Sequence, residues 1–315
     1  MKKIILFMFL LISLFSLANA KIFVLHRFDD SRYPSTSIDT KELRRYFDIL
    51  KENNYEVVPL ESIIKRIQAK EDIPNNWVAF TIDDAYKSFY EHGLEVFKEY
   101  AHPFTLFVFA EATDRNYPDF MTWEELRESE KFGTVGNHSY GHPHLTYLSL
   151  EEIKEDTLKA KELLDKNLSK PLNYYTYPYG EYNEEVRNTI KNLGFEAIFN
   201  QSTGAVSKNS NTFNIDRIAL GNNENILSKL KIGHLEATWE KVEVNNNHVG
   251  KIRVILPPDI KKVELFLSTY SWKYASVIDG VLEYNIDKPL KLGRSRIIIK
   301  DFNNRWTSFL IMKEK

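Results

Sequence analysis

From Lys21 to about Ile232 short apolar runs alternate with stretches of helical periodicity, and this alternation limits the fold more than any other feature of the chain. A repeated strand then helix order places strands side by side in parallel, because each helix carries the chain back to the sheet's starting edge. The strand candidates are Ile22–Leu25, Trp77–Ile82, Thr105–Ala110, Thr134–Gly136, Tyr174–Tyr177, Ala197–Phe199 and Ile215–Leu220. Helices are predicted over Thr40–Asn53, Ser62–Ala69, Lys87–Tyr100 and Asn183–Leu193. Two more begin at Thr122 and Ser149, each with a glutamate three residues on, the capping-box spacing that satisfies the first free N–H groups. The expected class is α/β, built on a mostly parallel sheet or barrel.

After Glu236 the pattern changes to β-rich runs at short intervals: Trp239–Val244, Lys251–Leu256, Val263–Ser268, Tyr274–Ile278, Val281–Tyr284, Arg296–Lys300 and Trp306–Met312. Asn245-Asn246-Asn247, Pro257-Pro258, Asp279-Gly280 and Asn303-Asn304 punctuate them as turns. The expected organisation is a domain over 21–235 followed by a small all-β, sandwich-like domain over 236–315. Ahead of both, Met1–Ala20 has a basic start, an apolar run from Ile4 to Leu17 and the cleavage pattern Ala18-Asn19-Ala20. That apolar run is shorter than the roughly 20 residues of a spanning helix, and the segment reads as a secretory signal peptide, with no membrane span after its removal. A periplasmic or secreted protein is expected.

Composition then removes several chemistries. The chain has no cysteine, so disulfides, thiolate metal sites and cysteine nucleophiles are excluded, and any metal must be held by histidine and carboxylate. A net charge of -2 over 315 residues gives no electrostatic footprint for nucleic acid.

In βα folds the loops after the strands gather on one face, where active sites form. The predicted strands deliver His26, Asp83-Asp84, Asn137-His138, Pro178-Tyr179-Gly180 and Asp216-Arg217 to that face. His138 and His142 have H-x-x-x-H spacing, which on one helical turn puts two imidazoles on one side, able to share a metal. Ser139 stands where a zinc protease has its glutamate base, so a base must come from elsewhere. Of two adjacent carboxylates, one can ligate a metal while the other takes a proton.

Phe80-Thr81-Ile82-Asp83-Asp84-Ala85 resembles the T-F-D-D-G motif of the NodB-type polysaccharide deacetylases, carbohydrate esterase family four. His138-Ser139-Tyr140-Gly141-His142-Pro143 resembles the family's H-[ST]-x-x-H-P motif, and Tyr177-Pro178-Tyr179-Gly180 the end of its third motif. The resemblance covers Lys21 to about Gly221 and implies a deformed (β/α) barrel. It implies Asp84, His138 and His142 as metal ligands, Asp83 as general base and the Tyr179 backbone N–H as part of an oxyanion hole. The ion is one divalent metal, with zinc first and cobalt, nickel or iron equally compatible with such ligands. The partner implied is a polysaccharide substrate, with a cell-envelope glycan as a further ligand of the C-terminal domain.

The opening of the chain, Phe23-Val24-Leu25-His26, is similar to the circularly permuted branch that deacetylates poly-β-1,6-N-acetylglucosamine, where the acid histidine sits on the first strand. His26 is accordingly preferred over His234 as general acid. The sequence departs from the family at two positions. Ala85 replaces the glycine after the paired aspartates, and Tyr174–Pro178 has no arginine to orient the base. Arg217 is a candidate for that guanidinium and Asp216 for orienting a histidine, each equally readable as half of a structural ion pair. Tyr33, Trp123, Tyr140, Tyr147, Tyr177 and Tyr179 are expected near the site loops, where flat rings suit sugar faces. Loss of activity in a glycan-binding protein and a non-haem iron oxygenase are the competing readings.

Overall fold

The computed structural model describes residues 19–291 and 293–313, so the signal peptide expected over Met1–Ala20 lies almost wholly outside the described residues. Seven parallel strands make the larger sheet: β1 (Lys21–Leu25), β2 (Trp77–Asp84), β3 (Thr105–Val108), β4 (Thr134–Asn137), β5 (Tyr174–Thr176), β6 (Ala197–Phe199) and β7 (Ile218–Ala219). Their spatial order is β7-β1-β2-β3-β4-β5-β6, and Glu56–Val57 adds a short strand beside β2. β1 and most of β2 are buried at successive positions, as expected of parallel strands covered on both faces. On one face Phe23, Phe80, Ile82 and Leu106 pack with Leu43, Phe47 and Phe97 of the surrounding helices. On the other Ile22, Ala79, Phe107 and Phe199 meet Ile63, Ile64 and Ile67 of the helix Leu60–Ala69.

The run expected as one strand over Ile215–Leu220 divides its hydrogen bonds. Ile215 exchanges bonds with the β6 side, through its N–H to the Ile198 carbonyl and its carbonyl to the Asn200 N–H, both 2.9 Å. Ile218 and Ala219 pair instead with Phe23 and Val24 of β1. This crossing segment joins the two sheet edges and gives the deformed (β/α) barrel.

Helix starts follow the sequence closely. Thr122 and Ser149 form capping boxes with Glu125 and Glu152, opening the helices Trp123–Ser129 and Leu150–Asn167. The helix expected over Lys87–Tyr100 opens with a widened turn at Phe89–Gly93 before becoming α-helical over Leu94–Glu99. Gly93 is required there because a Cβ would lie 2.8 Å from the Phe28 ring. Ala110, expected to end a strand, instead begins the short helix Ala110–Asp114.

The C-terminal strands are β8 (Thr238–Asn245), β9 (His248–Ile255), β10 (Lys262–Leu267), β11 (Lys273–Ser276), β12 (Val281–Pro289), β13 (Arg294–Lys300) and β14 (Arg305–Met312). They form a three-stranded sheet, β8-β9-β12, and a five-stranded sheet in which Gly233–His234 precedes β14-β13-β10-β11. Ile252, Val254 and Leu282 of the first meet Val263, Leu265, Ile297 and Ile299 of the second in one apolar cluster. Gly233 and His234 pair in parallel with Arg305 and Trp306, so this sheet begins ahead of the break expected at residue 236.

Candidate active site

Asp83 and Asp84 end β2 with different surroundings. The Asp83 side chain is fully buried, and Arg217 grips it with two parallel bonds, Nη1 to Oδ1 and Nη2 to Oδ2, each 2.7 Å. Arg217, itself fully buried, also donates through Nη1 to Thr81 Oγ1 at 3.0 Å and through Nε to the Asn200 carbonyl at 2.9 Å. Burial drives the Asp83 carboxyl upward, but the guanidinium more than offsets it with help from His138 and His26, so the group stays ionised below its ordinary range. A guanidinium from the crossing segment thus stands against Asp83, while Tyr174–Pro178 holds no arginine.

Asp84 turns the opposite way, with φ of 72°, followed by Ala85 at 57°. Its Oδ1 lies 3.2 Å from His138 Nε2 and 3.2 Å from His142 Nε2. The three ligand atoms fall within 4.8 Å of one another. Asp84 Oδ1 is buried and has no hydrogen-bond partner despite these neighbours. A buried oxygen left unsatisfied between two imidazole nitrogens fits a divalent cation at their common centre. His138 Nδ1 donates to the Thr176 carbonyl at 2.9 Å, which directs the Nε2 lone pair toward that centre.

The two histidines do not share a helical turn. Residues 138–143 form a loop in which Ser139 and His142 have φ of 68° and 49°. Side chains hold this shape by taking the free backbone N–H groups: Asn137 Oδ1 accepts from Ser139 N at 2.7 Å, and Ser139 Oγ from His142 N at 2.9 Å. Asp156, on the helix Leu150–Asn167, accepts from Tyr140 N at 3.0 Å and Gly141 N at 2.7 Å. Sequence reasoning missed Asp156. Its signal was a carboxylate on the stripe of Ile153, Thr157, Ala160 and Leu164, the buried face of that helix.

His26 follows β1 and faces the same charges. Burial lowers its pKa, the Asp84 and Asp83 carboxylates oppose this, and the net shift is downward, so the ring rests neutral at neutral pH. His234 lies elsewhere. Its Nδ1 donates to the Ala205 carbonyl at 3.2 Å and its N–H to Asn19 Oδ1, beside the start of β1. Its partners are Asn19 and Ala205 and the charge acting on it is that of Glu236, with none of Asp83, Asp84, His138 or His142 among them.

Asp216 corrects an expectation. It hydrogen-bonds no histidine among the described residues; Oδ1 accepts from Asn200 Nδ2 at 2.9 Å. Neighbours in an extended segment point to opposite sides, so Arg217 entering the barrel sends Asp216 away from it. Burial pushes the Asp216 carboxyl up to about 6.

Tyr179 sits at the tip of the Pro178–Gly180 turn with φ of 57°. Its ring lies 4.5 Å from that of His142 and stacks on His144 at 4.2 Å. His144 Nδ1 in turn pairs with Glu181 Oε2 at 2.7 Å. Of the other aromatics expected near the site, Tyr33 and Tyr147 are exposed, Tyr177 is fully buried, and Trp123 packs against the barrel core. Tyr140 is held under Lys159, whose Nζ lies 3.5 Å from its ring centroid.

The fold is a NodB-type barrel that carries a buried Asp-His-His cluster beside an arginine-clamped aspartate. Residues 70–198 match the family profile described as polysaccharide deacetylase. It is 24% identical over 234 residues to the poly-beta-1,6-N-acetyl-D-glucosamine N-deacetylase of Escherichia coli (strain K12), covering 60% of this chain and 34% of that protein. To the enzyme of the same name from Staphylococcus aureus (strain MSSA476) it is 27% identical over 184 residues, covering 54% and 61%. The Streptococcus pyogenes deacetylase PplD, solved in complex with acetate, superposes with a TM-score of 0.62 at 20% identity, covering 67% of this chain and 98% of that one. The chain thus spans about a third of the length of the Escherichia coli relative.

Proposed function

We propose that the protein is a metal-dependent N-deacetylase of N-acetylglucosamine polysaccharides, with a poly-β-1,6-linked exopolysaccharide as its leading substrate and peptidoglycan or chitin-type glycan as the alternative. One observation carries the reading: an ionised Asp83, clamped by Arg217, stands next to the Asp84, His138 and His142 cluster. Two relatives that bear the exopolysaccharide enzyme's name, and the position of His26 after β1, support the leading substrate.

A divalent cation held by Asp84, His138 and His142 supplies Lewis-acid polarisation of the acetamide carbonyl and a lowered pKa for the attacking water. Asp83 accepts the proton from that water, and Arg217 keeps its carboxylate ionised and oriented. The Tyr179 backbone N–H is the proposed donor to the oxyanion that forms as the carbonyl carbon becomes tetrahedral. His26, neutral at rest, is the proposed carrier that takes up the proton Asp83 has removed from the water and hands it to the departing glucosamine amine. The products are acetate and a free amino sugar. Arg217 removes the main motive for a binding-only reading, since the base has its guanidinium. The signal-like Met1–Ala20 segment supports a periplasmic or exterior setting, and among the described residues no helix is long and apolar enough to cross a membrane.

The test is acetate release from β-1,6-linked and β-1,4-linked N-acetylglucosamine oligomers. Asp83→Asn is expected to lower the rate by about 10²- to 10⁴-fold while metal still binds, and chelation to abolish turnover until metal is restored. Full activity in Asp83→Asn overturns the mechanism. Metal binding without acetate release from any glycan favours a binding protein.

A further inference from the structure

The β-sandwich is built onto the barrel beside the catalytic loops. Trp306 packs against the barrel's main apolar cluster, and Leu310 and Met312 enter the cluster of Leu145, Tyr175, Tyr177 and Tyr182. Arg296 on β13 donates from Nε to Ser202 Oγ at 3.2 Å. These buried contacts fix the two walls of a cleft of about 550 Å³. Tyr147, Tyr182, Asn183 and Glu184 line its barrel side, and Phe309 and Met312 its sandwich side.

The barrel wall comes from the two loops that also carry His142 and Tyr179. From the cluster of ligands the rings form a continuous ledge: Tyr179 beside His142, His144 stacked on Tyr179 with 12° between planes, and Tyr147 5.6 Å beyond His144. Tyr179 and Tyr147 keep 40% and 43% of their surface exposed at the two ends of this ledge. Successive exposed rings suit the apolar faces of successive pyranose units, and the amide of Asn183 and carboxylate of Glu184 suit their hydroxyls. Glu184 and Lys313 both line the cleft, which therefore carries one acidic and one basic side chain. Preformed clefts of this volume at domain boundaries are where small ligands and polymer units bind.

We propose that the interdomain cleft is a glycan subsite, holding sugar units of the same polymer a few residues from the unit whose acetamide reaches Asp83 and Asp84. This rests on the deacetylase reading above and assigns the β-sandwich to substrate length selection. The accessory domain then forms one wall of the substrate path instead of an independent anchor.

The full-length protein is assayed on β-1,6-linked N-acetylglucosamine oligomers from dimer to hexamer, as wild type, Tyr147→Ala and Glu184→Trp, the last filling the cleft. KM in the wild type is expected to fall about tenfold from dimer to hexamer at similar kcat, and this ratio to collapse in both variants. A wild-type KM independent of length, or a ratio that survives in both variants, overturns the subsite. If Tyr147→Ala does not fold, Glu184→Trp decides alone. If the wild type releases no acetate from any oligomer, the deacetylase reading fails first. Calorimetric titration with dimer and hexamer then decides the cleft separately, since equal affinities, or a hexamer preference that persists in Glu184→Trp, reject it.

Discussion

Ala85 holds a left-handed backbone, φ of 57°, directly after Asp84 at 72°. This is the turn that swings Asp84 toward the two histidines while Asp83 stays inside the barrel. A residue with a Cβ pays about 1 kcal/mol for that conformation, so the family's glycine is the relaxed choice and alanine the strained one. Ala85→Gly is expected to leave the melting temperature unchanged or raise it by a few degrees, because relief of strain offsets the extra chain entropy of glycine. A loss of more than about 1 kcal/mol in denaturant titration contradicts this. Asp216 supplies a pH signature. Its carboxyl is raised to about 6, so the folded chain keeps a proton that the unfolded chain has lost between about pH 4 and 6. Stability therefore falls as pH rises through that window. Asp216→Asn is expected to flatten the fall and to gain on the order of 1–2 kcal/mol at pH 7, discounted for the group's remaining contact with solvent. Unfolding midpoints measured from pH 4 to 7 check both the slope and its loss.

At the scale of elements, the loop after β4 that carries His138 and His142 is shaped by the helix that follows it. Asp156 on Leu150–Asn167 takes the Tyr140 and Gly141 N–H groups, and that anchoring presents His142 to Asp84. Asp156→Ala leaves two backbone donors without partners and is expected to weaken metal affinity by 10- to 100-fold, the usual effect of removing a group that orients ligands. Competition with a chromogenic chelator measures this, and an unchanged affinity rejects the role. The crossing segment Ile215–Ala219 shows the same dependence on assembly. Its apolar run marked it as a strand, but its division between β6 and β1 decides that Arg217 enters the barrel and Asp216 does not.

Across the whole molecule, the outer face of the five-stranded sheet gives Trp306, Leu310 and Met312 to clusters centred in the barrel. Domains joined by a covered apolar interface tend to unfold together. Scanning calorimetry of the full chain is expected to show one transition, and two well-separated transitions would mean the sandwich is a loosely attached module.

The sequence by itself determined the order and type of nearly every element, since strand and helix periods, capping boxes and turn residues act over a few neighbours. It also determined the paired aspartates and paired histidines, which are local motifs. It left open the partner of Asp83, the surroundings of His234 and the anchoring by Asp156. Arg217 lies 134 residues from Asp83, and only closure of the barrel brings the two within 2.7 Å. The H-x-x-x-H spacing was compatible with a helical turn, and the tertiary structure replaced it with a loop because Asn137, Ser139 and Asp156 stabilise left-handed residues there. Local periodicity specifies which residues reach the mouth of a βα fold; three-dimensional closure specifies which of them meet.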